Sequence, residues 1–187
     1  MSVVRVNQIQ DTSTNVAANI SGGVVTFTNT PINAGGGKIL QVVNATSTSQ
    51  LILTNTSFVA FNLNASITPS STSSRILVSF SVPVYIANAG NHGVATIFRE
   101  SGTANQDAVI SGVNLGGGDW GFGMSHGQAN GHTTIVSNGA GVIDSPSTTN
   151  ALRYTIAGRR HNDHGNNHIY FSINGAMSSI TLMEIGV

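Results

Sequence analysis

The sequence predicts an all-β protein: an antiparallel β-sandwich, jelly-roll-like, preceded by an extended N-terminal arm. Three observations carry this expectation. Lys and Glu together number three in 187 residues while Gly appears 22 times, so few windows can sustain a helix. Apolar residues recur at every second position over long stretches, the period of a strand with one face on a core. Clusters of Gly, Asn and Ser divide these stretches at a spacing that suits a sandwich or jelly roll.

Taken in order, residues 1–33 hold two short strand-like pieces, SVVRV and GGVVTFT, separated by polar turns. The segment is too small for a core of its own and reads as an arm that orders against a partner or the main domain. Val4, Val6, Val25 and Phe27 are its candidate anchors. AGGGK, residues 34–38, is the joint, because three consecutive glycines leave the backbone flexible. The sandwich then occupies residues 39–187. A strand is expected near 39–46. Val59, Phe61, Leu63, Ala65 and Ile67 alternate along the next, and Ile76, Val78, Phe80, Val82, Val84 and Ile86 along the one after it.

Between those two runs lies TPSSTSS, residues 68–74. Both sides carry the same period and composition, so the stretch reads as a loop joining antiparallel neighbours rather than a domain linker. Further strands are expected near 94–99, 107–113, 132–137, 151–158, 168–173 and 178–185. The last, SSITLMEI, is apolar on both faces, with Ile180 and Leu182 on one and Met183 and Ile185 on the other. Such a strand is either central in its sheet or at a subunit contact. Phe80, Val82, Leu182 and Ile185 are accordingly the candidates for core or subunit contact.

Composition excludes several functions. Only 7% of residues are charged and the formal net charge is zero, so neither charge-driven disorder nor much colloidal protection of a free monomer is expected. An assembled state fits better, with close packing and backbone pairing that need no buried ions. The seven basic residues are scattered apart from the pair Arg159 and Arg160, which cannot neutralise a row of phosphates; nucleic acid is not an expected partner. No apolar run approaches the length that crosses a bilayer, and MSVVRVNQIQD lacks the apolar core of a signal peptide. Without cysteine there is no disulfide framework and no thiolate metal site.

MSVVRVNQIQDTS resembles the opening of small structural proteins encoded by tailed bacteriophages, marine and cyanobacterial ones above all. KILQVVNATSTS, NASITPSSTSSRILV, IDSPSTTNALRYTI and SSITLMEI resemble, in that order, recurring segments of the β-rich virion and tail-fibre domains of those phages. The resemblance covers the chain ends and much of 38–86 and 142–185, and is weak across 87–141. It implies a virion appendage, such as a tail fibre, head fibre or capsid decoration protein, commonly a homotrimer. Other virion proteins of capsid or tail would be its partners, and assembly would take place in the host bacterial cytoplasm. It carries no catalytic residues and no cofactor.

Three sets of residues bear on chemistry. HNDHGNNH places His161, His164 and His168 within eight positions, with Asp163 as an oxygen donor. Crowded imidazoles can bind a transition metal, but Gly and Asn around them suit a polar loop tip, and no metal is assigned. GGGDWGFGMSHG, residues 116–127, presents Asp119, Trp120 and Phe122 on a glycine-rich loop. It either stacks on a sugar of a host surface glycan, making the chain a carbohydrate-binding receptor-recognition module, or tucks its aromatics into the end of the sandwich. Catalysis finds little support: the seven acids are isolated in sequence, and with so many serines no Ser-His-Asp triad is identifiable without geometry. The expectation is a non-enzymatic protein.

Overall fold

The computed structural model describes residues 8–10, 16–21, 24–27, 37–54, 56–86, 92–101, 112–116, 118, 121–122, 124–126, 133–161 and 168–186. For 8–10, 16–21, 24–27, 124–126 and 133–140 it describes the backbone alone. The chain divides into two compact units, 1–37 and 38–187.

In the first unit β1 (Gln8–Gln10), β2 (Val16–Ser21) and β3 (Val24–Phe27) form a three-stranded antiparallel sheet in that order. The sequence offers two strand-like pieces in residues 1–33, and the described residues pair three strands there. VAANIS alternates too weakly to announce a strand, yet it pairs with both neighbours and makes the segment a meander. SVVRV, with Val4 and Val6, lies outside the described residues. Val25 and Phe27 belong to β3.

The second unit is a β-sandwich. Its strands are β4 (Lys38–Ser47), β5 (Leu51–Leu53), β6 (Val59–Ile67), β7 (Arg75–Ile86), β8 (His92–Ser101), β9 (Val113–Asn114), β10 (Met124–His126), β11 (Thr133–Asp144), β12 (Leu152–Arg160), β13 (Ile169–Phe171) and β14 (Ser178–Gly186). The strand expected at 107–113 is described only from residue 112 on. Among the described residues the sole helical element is a 3-10 turn, Ile173–Gly175.

One sheet runs β4-β14-β7-β13-β5 with β11 on the far side of β7. The other runs β10-β8-β12-β6 with β9 beside β8. All these pairings are antiparallel. Taking the eight principal strands alone, the orders β4-β14-β7-β11 and β6-β12-β8-β10 are those of a jelly roll of two Greek keys.

This topology corrects one expectation. β6 and β7 are not paired neighbours across TPSSTSS. They lie in different sheets, β6 beside β12 and β7 between β14 and β11. Their alternation is as expected, with Phe61, Leu63 and Ile67 buried on one strand and Ile76 through Ile86 on the other. The two apolar faces line the same interior from opposite sheets, β6 lying over β4 and β14, rather than side by side, an arrangement that produces the same period-2 signal.

The core fills the space between the sheets. Phe61 of β6 and Phe171 of β13 meet edge to face, 5.7 Å between ring centroids, and so tie one sheet to the other. Gly158 of β12 makes room for them, since a Cβ there would lie 2.5 Å from the Phe171 ring and 2.8 Å from Leu53. Phe80, Val82 and Leu182 are interior residues of this chain. β14 is central, flanked by β4 and β7. Its Ile180 and Leu182 face the core, while Met183 and Ile185, only half-buried, face outward. Pro83 interrupts β7 without loss. Its carbonyl accepts from Ser172 N–H at the break where the partner of β7 changes from β14 to β13, the point at which a backbone donor is not needed.

Candidate functional site

A face, rather than a cleft, is the most distinctive surface. On the six-stranded sheet Val42 pairs with Met183, Met183 with Leu77, and Leu77 with Ile143. Each of these alternates with a residue packed on or against the core, so all four side chains stand on the outer face, in one row across four strands. Ile39 and Ile185 pair beside the row. Further along the sheet Ile52 pairs with Tyr170, and Tyr170 with Tyr85, whose ring centroids are 5.7 Å apart.

The exposures decide how unusual this is: Ile39 57%, Val42 56%, Ile143 55%, Ile52 48% and Leu40 44%. Ile39, Val42 and Ile143 cluster at one end of the face and Ile52 stands at the other, each a large apolar side chain left in water. Between the two apolar ends lie hydroxyl and amide side chains such as Ser79, Thr181 and Asn44. Among the described residues the charges flanking the row are Lys38 and Arg75 at one end. β4 is also an edge strand ten residues long, blunted at its start by Lys38 and by a bulge at Leu40.

The charged groups are organised inside instead, which corrects the expectation of a fold without buried ions. Arg99 on β8 donates through Nη1 to both carboxylate oxygens of Asp144 at the end of β11, at 2.6 and 2.8 Å. Tyr154 on β12 donates its hydroxyl to the same carboxylate at 2.8 Å. Asp144 belongs to one sheet and its two partners to the other, so the trio clamps the sandwich at one end. Burial, then the adjacent Asp144 carboxylate, push the Tyr154 phenol far above its ordinary pKa, with Arg99 opposing. Next to it Arg153 donates Nε to Glu100 at 2.9 Å and closes a second contact through Nη2. Both members of that pair are at least nine-tenths buried. Glu100 and Asp144 are isolated along the chain but each is paired with an arginine in space.

Glu184, fully buried on β14, is held differently. Its carboxylate accepts from the Ser70 backbone N–H and hydroxyl, both at 2.7 Å, and from the Gln41 amide at 2.5 Å. The Ser74 hydroxyl lies alongside without a geometric hydrogen bond of its own. Burial would raise the Glu184 pKa, yet the hydroxyl, amide and backbone donors outweigh it and hold the carboxyl down at about 2. The serine-rich loop and the edge strand β4 are thereby pinned to the central strand. Sequence reading missed this cage, and the only local signal was an acid standing alone in the apolar run SSITLMEI.

The candidate site residues fall as follows. Asp119 and Trp120 lie outside the described residues. Phe122 turns inward, edge to face with Phe80 at 5.9 Å and packed against the core, with its N–H bonded to the Ala95 carbonyl. His164 is also outside the described residues. His161 follows β12 in one sheet, its ring 6.3 Å from His92; His168 precedes β13 in the other sheet, 6.1 Å from Tyr170. Among the described residues no three metal-ligating side chains come together.

No protein-family model matches the chain, and no curated protein matches it. Solved structures similar to it include three of infectious bursal disease virus. The Gx strain structure is 12% identical over 79% of this chain and 33% of that one, with a TM-score of 0.37. The Gt strain structure is 10% identical over 90% and 42%, with a TM-score of 0.41. T=1 particles derived from the virus give 10%, 90%, 40% and 0.40 in the same terms. This chain spans less than half the length of each of those chains.

Proposed function

We propose that the chain is a non-enzymatic structural protein of a tailed-phage virion, an external appendage such as a tail fibre, head fibre or capsid decoration. In this reading it assembles as a homotrimer through the outer face of the six-stranded sheet and docks on the particle through residues 1–33. The observation that carries the assembly is the apolar row Val42–Met183–Leu77–Ile143 on a face flanked by few charges. Self-association removes this surface from water, and a chain of zero net charge opposes it with no long-range repulsion. The virion assignment is supported by the resemblance of the ordered segments from MSVVRVNQIQDTS to SSITLMEI. Internal satisfaction of Glu100, Asp144 and Glu184 fits a scaffold more closely than a catalyst, whose acids stand open to substrate.

The test is the solution mass, by light scattering on a gel-filtration column, of the native chain and of the double variant Val42→Glu, Met183→Glu. The native protein is expected at three chain masses. The variant, which places carboxylates in the contact while leaving the core untouched, is expected at one, with its cooperative melting kept. A native monomer, or a variant that stays trimeric, overturns the assembly reading.

A further inference from the structure

A second feature lies at the end of the sandwich clamped by Arg99, Asp144 and Tyr154. A recess of about 340 Å³ opens there between the end of β8, β9 and the segment that follows β11. That volume falls at the lower end of the range that holds small ligands. Its lining includes the polar residues Arg99, Glu100, Ser101, Thr148 and Asn150 and the apolar residues Val113 and Pro146.

Two properties of this lining narrow the ligand. The Arg99 guanidinium is fixed before anything binds, because Nη1 is held by both oxygens of Asp144. Its Nε and Nη2 make no hydrogen bond to the described residues, and its side chain is 22% exposed at the wall of the recess. Arg99 thus brings a fixed guanidinium with two unengaged nitrogens to a lining that also offers an amide and two hydroxyls, groups that both donate and accept. The second property is charge. Arg99 is balanced by Asp144 and Arg153 by Glu100, so the four charges sum to zero and leave no unmatched cation for an anionic ligand. Val113, 51% exposed, and Pro146 add an apolar wall.

We propose that this recess binds a neutral sugar ring, with adjacent hydroxyls on the Arg99 fork and Asn150, and the C–H face of the ring against Val113 and Pro146. It is separate from the outer face of the six-stranded sheet, and its occupancy does not depend on the assembly reading. Preorganisation is the physical basis: the guanidinium is already positioned by a partly buried ion pair, so binding orders few side chains. A monosaccharide touching four polar groups and one apolar wall binds weakly, with a Kd on the order of 1 mM.

The test is saturation-transfer NMR on the full chain with glucose, galactose, mannose, N-acetylglucosamine and glucuronate, each at a few times that concentration. At least one neutral sugar is expected to receive saturation, and glucuronate to receive less. Asn150→Ala, an exposed substitution that leaves the fold intact, and Arg99→Lys, which keeps the charge but removes the fork, are each expected to reduce the signal severalfold. No transfer to any neutral sugar overturns the proposal. So does transfer that survives both substitutions, and so does a preference for glucuronate, which would assign the recess to an acidic ligand.

Discussion

At the scale of single residues, Glu184 shows how a buried charge can support a fold. The carboxylate is out of water, which disfavours ionisation, yet three donors within 2.7 Å restore more than burial removes. Its folded-state pKa of about 2 lies below the ordinary value of 4.5. The sign follows directly: the unfolded chain binds the proton more readily, so acid favours unfolding. Glu184's contribution is complete above about pH 4.5, declines as pH falls, and is gone once pH drops through about 2. Glu184→Gln is therefore expected to lower the melting temperature at pH 7 by about 5 °C. It should also flatten the loss of stability between pH 4.5 and 2 relative to the native chain. Melting curves across that range check both. A variant as steeply acid-sensitive as the native protein would place the titration elsewhere.

At the scale of elements, β14 carries two roles on its two faces. Leu182 is fully buried and Met183 half-buried on the opposite side. Leu182→Ala opens a cavity and is expected to cost about 2–5 kcal/mol in urea unfolding. Met183→Ala removes contact on the outer face, and should leave the unfolding of a dilute monomeric variant within about 0.5 kcal/mol while weakening self-association. If both substitutions destabilise the isolated domain equally, the outer face is packed by this chain itself and is no contact surface. β7 shows a related economy: Pro83 sits at a strand centre, a place normally closed to proline, because its hydrogen-bonding side meets the break between β14 and β13.

At the scale of the whole molecule, the division at residues 37 and 38 separates a three-stranded meander from a sandwich with a continuous core. Each unit is closed by its own strand pairing. Removing residues 1–33 is accordingly expected to leave a folded domain with a cooperative melt and unchanged self-association. Under the proposed function that domain no longer incorporates into particles, as read by its presence in purified virions. A truncated chain that still incorporates moves the attachment role off this segment.

Much of this was legible in the chain. The strand class, the inward positions of β6 and β7 and the two-faced character of β14 all follow from alternation, which neighbouring residues display without help from the rest of the fold. The pairing of strands was not. In a jelly roll most consecutive strands change sheets, so β6 and β7, separated by seven loop residues, never pair although each carries the hairpin signal. Nor were the ionic contacts, since Arg99 and Asp144 are 45 positions apart, Glu100 and Arg153 53, and Gln41 and Glu184 143. By itself the sequence determined that the chain would form strands and which side of each would be buried, because both depend on local geometry and hydrophobicity. Only the tertiary structure decided which strands lie side by side and which charges meet, because those depend on the path of the whole chain through two sheets.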